Sequence, residues 1–145
     1  QMEKGKNPFL LIARIGLKED VAEGGFLVEE YLGIAQEVDE AVYESEPGML
    51  FHNFDMHPDG ANSGKFVWSE VYLNSEALIA HINNPPVQAY VEKHAELAET
   101  FEIEVYGNLS DDAIDAVEGL GVPFKHFRTT AVGFIREDFW ESGIS

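Results

Sequence analysis

The sequence predicts an α+β domain with strands and helices in the order βαββαβ. Four short segments alternate apolar with polar residues or are apolar throughout, as strands are. Two longer segments between them repeat apolar residues every three or four positions, as amphipathic helices do. Clusters of Pro, Gly, Asn and Asp separate the segments and mark the turns.

The first half of the chain contains one strand and one long helix. Residues 9–17 (FLLIARIGL) place large apolar side chains at alternate positions and predict a strand. Residues 18–25 are typical of a polar turn, and residues 26–45 carry the helical period. The run Glu46-Pro47-Gly48 ends this helix because proline cannot continue it.

The next two strands form a hairpin. Residues 49–57 and 65–73 both have strand composition, and the turn formers of residues 58–64 lie between them. We therefore expect the two strands to pair in antiparallel fashion.

The second helical region is interrupted. Ser75 is expected to cap a short helix over residues 76–82, which the run Asn-Asn-Pro-Pro ends. A helix over residues 87–100 and a strand over residues 101–107 then complete the ferredoxin-like order.

The chain continues beyond this order. We predict one domain over residues 8–107 and a C-terminal extension over residues 108–145, packed on the same domain or on a partner subunit. In the extension, Ser110 is expected to cap a helix over residues 111–118, and residues 126–136 predict a further strand.

Composition excludes several classes of function. The 145 residues suit one domain, and 27 acidic against 9 basic residues give a formal charge of −18. Such a surface repels phosphate groups, so we expect neither nucleic acid nor a membrane as a partner. There is no cysteine, no apolar run of about 18 residues and no secretory leader pattern, and we predict a cytoplasmic protein.

The third predicted strand is apolar on both faces, which predicts a homodimer. Its alternation places Val67 and Val71 on one face and the aromatic residues of the strand on the other. An apolar sheet face that no helix packs against has to be shielded from water by another part of the protein or by a partner. We expect a second copy of the chain to supply it; the competing cover is the tail strand with Trp140.

Three stretches together resemble the antibiotic biosynthesis monooxygenase domain, whose members are dimeric α/β barrels. They are EPGMLFHNF, FVWSEVYLNSEALIAH and FEIEVYG, and the likeness covers about residues 8–107. It implies a homodimer with one pocket per subunit between sheet and helices. Some relatives oxidise quinols or polyketide aromatics without metal or flavin, others degrade haem, and others isomerise small molecules.

Two departures from the family pattern narrow this choice. Pro85-Pro86-Val87 stands where the family often has P-H-F, so a common pocket histidine is missing. Haem-degrading relatives have an asparagine where this chain has Ala13, and a tryptophan where it has His81. The resemblance therefore disfavours haem degradation.

Glu70 and His81 are the predicted catalytic residues. Glu70 shares a strand face with Trp68 and Tyr72, and a carboxylate among aromatic rings is expected to have a raised pKa. It can then take a proton near neutral pH; alternatively, it pairs with Arg14 or a backbone group. His81 can act as base, acid or hydrogen-bond donor, or can bond the last carbonyls of its helix.

A second set of residues is predicted to bind the substrate. Trp68, Tyr72 and Phe54 form an aromatic wall or, alternatively, part of the core. His52 and Asn53 are neighbours on a strand and point to opposite faces, so at most one lines a given pocket. Asn53 or Arg14 is expected to stabilise an oxyanion.

No cofactor is expected. His52, His57, Glu70 and His81 are the side chains that could converge on a metal, but they show no local spacing such as H-x-x-x-H. No glycine-rich phosphate-binding pattern and no G-x-S-x-G motif occurs.

These observations leave three functional hypotheses. The first is a cofactor-independent monooxygenase acting on a small aromatic or quinol-like compound, with Glu70 or His81 as base. The second is a non-catalytic, ligand-binding or stress-associated dimer. The third is an isomerase or lyase of a small carbonyl compound that uses the same two residues.

Overall fold

A computed structural model describes residues 5–23 and 25–136, and the predicted βαββαβ order is confirmed within them. Trp140 lies outside the described residues. The strands are β1 Phe9–Leu17, β2 Met49–Met56, β3 Lys65–Tyr72, β4 Ala98–Tyr106 and β5 Phe124–Phe127. The α-helices are α1 Glu19–Glu23, α2 Gly25–Ser45, α3 Ser75–Asn83, α4 Pro85–Leu97 and α5 Asp111–Glu118.

The five strands form one sheet in the order β2-β3-β1-β4-β5. The β2–β3, β1–β3 and β1–β4 pairs are antiparallel, as the hairpin prediction and the ferredoxin-like order require. Strand β5 pairs with β4 in parallel, because helix α5 carries the chain back along the sheet between them. The helix and strand after residue 107 thus pack on the same chain.

The helices lie on one face of the sheet, and the core lies between. Every odd position of β1 from Phe9 to Leu17 is buried, because alternate side chains point to the same face. From the helices, Tyr31, Val42 and Leu78 complete this core, each with 1% exposure or less. The opposite face keeps apolar side chains in solvent, with Leu10 36% and Tyr106 38% exposed.

Two predicted segments, the turn over residues 18–25 and the helix over residues 87–100, differ from the structure. Residues 19–23 form helix α1 rather than a turn, because burial of Val21 and Ala22 favours it. Helix α4 begins at Pro85, since proline fits the first turn, whose N–H groups lack helical partners. The helix ends at Leu97 instead of residue 100, because Ala98 already pairs with Leu17 of β1.

The last predicted strand is shorter than expected. Strand β5 spans Phe124–Phe127, whereas residues 126–136 were expected to be extended. Strand β4 ends at Tyr106, and Tyr106 is the partner of Phe127, so the ladder has no further partner residues. The prediction of separate units over residues 8–107 and 108–145 stays a prediction.

Among residues 5–23 and 25–136, none of the helices combines the length and apolarity that crossing a lipid bilayer requires. The cytoplasmic location stays a prediction.

Candidate functional site

An apolar cavity lies between the sheet and helices α2–α5, where the resemblance implies a pocket. Its volume is about 80 Å³. A water molecule occupies roughly 30 Å³, and an apolar cavity that accepts a benzene ring measures roughly 150 Å³. The extension contributes Val117 and Leu120 to the wall. The residues with polar atoms in the lining are His52, Trp68, Glu70, Tyr72, His81 and Tyr90.

Strands β2 and β3 place an imidazole beside a carboxylate. Alternation on β3 turns Trp68, Glu70 and Tyr72 toward the helices, and all three are buried. His52 on β2 lies directly opposite Glu70, so the two side chains share a face. Its Nε2 is 3.5 Å from Oε2 of Glu70, and its ring stacks on Trp68 with 4.4 Å between centroids.

A second imidazole reaches the cavity from helix α3. His81 lies in the last turn of this helix, and its Nδ1 is 2.9 Å from Oε1 of the buried Glu46. Glu46 follows α2, in the turn to β2. This turn can approach α3 because Gly48 has no side chain; a Cβ there would lie 2.7 Å from the Cβ of Ala77.

His52, Glu70 and His81 form a cluster in which each member has a further partner outside it. Asp39 on α2 places Oδ1 2.7 Å from Nδ1 of His52. The hydroxyl of Tyr72 donates to Oε1 of Glu70, and Glu46 accepts from Nδ1–H of His81. Both imidazoles thus use Nδ1 for a carboxylate outside the cluster, which leaves Nε2 free to face Glu70 or a guest.

The charges of the cluster correct the expectation for Glu70. Burial by itself raises the pKa of this carboxyl group. The charge of His81 and the hydrogen bond and charge of His52 lower the pKa by more than burial raises it, so it lies below its usual value. Burial lowers the pKa of His52, but Glu70 and Asp39 raise it above its usual value. The prediction of a raised Glu70 pKa was wrong because it counted the aromatic rings and not the imidazoles.

Tyr72 remains a proton donor to this carboxylate. Burial, followed by the negative charge of Glu70, raises the pKa of the Tyr72 phenol well above its usual value. Its hydroxyl therefore keeps its proton at neutral pH and holds Oε1 of Glu70 in place.

Three predicted substrate-binding residues lie elsewhere. Arg14 occupies an even position of β1, on the face opposite the cavity, where it pairs with Glu104 at 3.4 Å. Asn53 is exposed on that same opposite face. Phe54 faces the helices but lies behind Trp68, stacked on Phe66 with 5.0 Å between centroids. None of the three lines the cavity, and their part in substrate binding stays a prediction.

Sequence reasoning missed a chain of hydrogen bonds that leads away from the cavity. Nε1–H of Trp68 donates to the hydroxyl of Tyr90, 3.0 Å away. The Tyr90 hydroxyl is 2.7 Å from that of Tyr31, which is 2.9 Å from Nδ1 of the buried His94. Tyr90 and His94 lie four residues apart on α4, and this helical spacing is the signal that could have identified the pair.

Within residues 5–23 and 25–136, the group that could hold a metal ion is His52, Glu70 and His81. One nitrogen of each ring and one Glu70 oxygen lie within 4.8 Å of one another. His57, the fourth residue considered from the sequence, lies near Asp59 with its side chain 40% exposed and is not part of this group.

Comparisons with known proteins agree on one family. The family model described as antibiotic biosynthesis monooxygenase matches residues 8–93, more than half of the chain. No curated protein matches the chain.

Solved structures named for the same family share the fold. One from Bacteroides thetaiotaomicron has 22% identity and a TM-score of 0.58, over 67% of this chain and 85% of that one. One from Caulobacter crescentus has 17% identity and a TM-score of 0.59, over 70% of this chain and 89% of that one. One from Nitrosomonas europaea has 18% identity and a TM-score of 0.60, over 76% of this chain and 98% of that one. The order of elements, the position of the cavity and the match over residues 8–93 agree: the chain belongs to the antibiotic biosynthesis monooxygenase family.

Proposed function

We propose that the protein is a monooxygenase that oxidises a small phenol or hydroquinone and takes the electrons from the substrate itself. The observation that carries this proposal is the pair Glu46–His81 at the wall of an apolar cavity. Glu46 accepts from Nδ1–H and so leaves Nε2 of His81 as a proton acceptor. This arrangement is that of a general base with an orienting carboxylate.

The size of the cavity favours a substrate with one ring. At about 80 Å³ the cavity is smaller than a benzene-binding site, so even one ring requires side chains of α3 and α4 to move. Fused polycyclic substrates require a much larger displacement of packed residues. We therefore propose single-ring phenols and hydroquinones ahead of polycyclic aromatics.

The reaction begins with proton transfer from the phenol to Nε2 of His81. The phenolate passes one electron to O₂, and the two radicals join through a new bond between ring carbon and oxygen. The imidazolium protonates the peroxide. Loss of the ring C–H proton to His81 then breaks the O–O bond, and the departing hydroxide leaves as water with that proton. One oxygen atom becomes the new carbonyl and the other becomes water, so no outside reductant is needed.

The cluster stabilises the charges that form in this sequence. His52 has a raised pKa, because Glu70 and Asp39 outweigh the effect of burial, and it brings positive charge to the cavity wall beside the phenolate. Glu70, held by Tyr72, offsets the positive charge that His81 gains. Trp68 and Tyr72 contact the substrate ring.

The test is oxygen uptake by chelator-treated protein with a panel of phenols and hydroquinones, with ¹⁸O₂ to follow the oxygen atom. We expect one ¹⁸O in the quinone product, and a loss of about 10²-fold or more in His81→Ala. Glu70→Gln is expected to lose activity as well. Glu76→Gln, which alters an exposed carboxylate on the same helix as His81, is the matched control and keeps activity.

The outcomes separate this proposal from the other hypotheses. Equal turnover by the parent and His81→Ala contradicts the assignment of the base. Tight binding of phenols without oxygen uptake favours a ligand-binding protein, and turnover that persists without oxygen favours an isomerase or lyase.

We also propose that the protein is a homodimer that pairs through the face of the sheet opposite the helices. Leu10, Phe51 and Tyr106 on this face are each more than a third exposed. Along the chain after β5, Val132 is 95% and Phe134 80% exposed. A second copy would remove this apolar surface from water, which stabilises the dimer by about 25 cal/mol for each Å² of apolar surface buried.

A further inference from the structure

We propose that the cluster His52–Glu70–His81 binds a divalent transition-metal cation of the zinc type, with three ligands from the protein. Two imidazoles and one carboxylate are the donor set of several catalytic zinc sites and of non-haem iron sites. The ligands come from strands β2 and β3 and helix α3, so packed elements rather than a loop hold them. The sequence showed no local metal motif because these elements converge only in the fold.

The distances suit a small cation. The three ligand atoms lie within 4.8 Å of one another, and Nε2 of His52 is 3.5 Å from Oε2 of Glu70. Two ligands at zinc's usual distance of about 2.0–2.1 Å lie about 3.3 Å apart in a tetrahedral site. Ligand atoms that lie up to 4.8 Å apart would have to move closer together when the cation binds.

The partners of the three ligands are those that metal sites use. Zinc-binding histidines almost always donate their second ring N–H to a carboxylate or carbonyl, which fixes the ring and the tautomer. Here Asp39 is 2.7 Å from Nδ1 of His52, and Glu46 is 2.9 Å from Nδ1 of His81. Tyr72 donates to Oε1 of Glu70 and leaves Oε2 for the cation.

The adjacent cavity and the ligand types both suit a transition-metal cation. A cavity of about 80 Å³ beside the cluster has room for an ion and one or two waters that would fill its open positions. Imidazole ligands favour zinc, cobalt, nickel, copper and iron over magnesium and calcium, which prefer oxygen ligands.

The inference does not depend on the proposed oxygenase activity, because binding itself is the measured quantity. A cation on the cluster would occupy both Nε2 atoms, including the one that acts as base in the proposed reaction. Bound zinc is therefore expected to abolish oxygen uptake, and chelation to restore it.

The experiment uses the whole 145-residue chain without a histidine tag, stripped with a chelator and kept in excess Mg²⁺ to saturate weak acidic sites. Co²⁺ is added, and its visible absorption reports coordination number and stoichiometry; Zn²⁺ is then added as a competitor in a calorimeter. We expect one site per chain with the intense bands of a four- or five-coordinate ion. His52→Ala and His81→Ala lose this site, and His57→Ala, an exposed histidine outside the cluster, is the matched control and keeps it.

A further variant tests the site without altering a buried ligand, since His52→Ala and His81→Ala could impair folding. Asp39 has a side chain that is 48% exposed, so Asp39→Asn is expected to fold normally. Loss of this partner of His52 is expected to weaken Co²⁺ binding about 10–100-fold. Absence of a saturable site in the parent, or equal affinity in the parent, His81→Ala and Asp39→Asn, overturns the proposal. Oxygen uptake by stripped protein is scored separately, so either proposal can fail alone.

Discussion

Glu46 and His81 lie 35 positions apart in the chain, yet a carboxylate oxygen of Glu46 is 2.9 Å from Nδ1 of His81. Glu46 also accepts from Nδ2 of Asn84, 2.8 Å away, so both sides of its carboxylate are held. This contact joins the turn after α2 to the end of α3 and fixes one imidazole at the cavity wall.

The first prediction concerns this orienting carboxylate. In Glu46→Leu the ring of His81 loses both its acceptor and the nearby negative charge, and we expect kcat for the phenol oxidation to fall about 10²-fold. Glu46→Gln keeps a hydrogen-bond acceptor for His81, so its kcat should fall less. The KM should change little in both, because Glu46 is not among the residues that line the cavity.

The control for this prediction is Glu44→Gln, which alters an exposed carboxylate near the end of α2, two residues before Glu46. A parallel rise in KM, or equal kcat values in Glu46→Leu and the parent, would show that Glu46 serves only the fold.

The second prediction concerns substrate size. Val91 lines the cavity from α4 and is half-buried, so Val91→Ala should widen the site at a cost of about 1–2 kcal/mol in the free energy of unfolding. We expect the ratio of kcat/KM for two-ring over one-ring phenols to rise about 10-fold. Val122→Ala is the matched control, because Val122 is half-buried outside this cavity. A ratio that moves equally in both variants contradicts the assigned pocket.

The third prediction concerns acid stability. Burial lowers the pKa of His94 from 6.5 to about 4 in the folded protein. The unfolded chain therefore binds the proton first, and the native state loses stability as the pH falls from 6.5 to 4, by about 3 kcal/mol in total. His94→Gln, which keeps an acceptor for Tyr31, should remove this part of the pH dependence.

Urea unfolding at several pH values measures the difference between the two proteins, so that the titration of the many surface acids cancels. His57→Gln serves as a control and should follow the parent. Parallel stability curves for the parent and His94→Gln would contradict the prediction.

The fourth prediction concerns the proposed dimer. Val71 of β3 lies opposite Leu10 of β1 on the face without helices, and Val71→Arg places charge in the middle of the proposed interface. Light scattering should then report a monomer with an unchanged circular dichroism spectrum. Each chain carries a formal charge of −18, so lowering the salt concentration should also weaken the parent dimer.

Glu99→Arg makes a charged change at an exposed position of β4 and should leave the mass unchanged. A monomeric parent at physiological salt, or a dimeric Val71→Arg, contradicts the interface.

Most of the fold could be predicted because its signals are local. Alternation along β1 and β3 and the helical period of α2 identified the elements, and Ser110 was correctly expected to cap α5, where its side chain accepts from the N–H of Ala113. The errors arose where a tertiary contact decides. Ala98 leaves the helical state because β1 offers it a partner, and β5 ends where β4 ends.

The site was only partly predictable for the same reason. Alternation placed Glu70, Trp68 and Tyr72 on one face, and the resemblance pointed to His81. Neither could reveal that Asp39 and Glu46 come from α2 and the turn after it to hold the two imidazoles, nor that these imidazoles lower the pKa of Glu70. Arg14 was misplaced because its own ion pair, with Glu104, lies across the other face.

The cluster and its partners are drawn from widely separated parts of the chain: Asp39, Glu46, His52, Glu70 and His81 belong to α2, the turn after it, β2, β3 and α3. An unfolded chain cannot assemble them, so a substrate that needs the whole cavity binds only the native state. Such a guest must shift the folding equilibrium, by about 2.7 kcal/mol at a hundred times its dissociation constant. Melting temperature can therefore rank candidate substrates before any turnover is measured, whereas a cation that also binds histidines of the unfolded chain raises it by less.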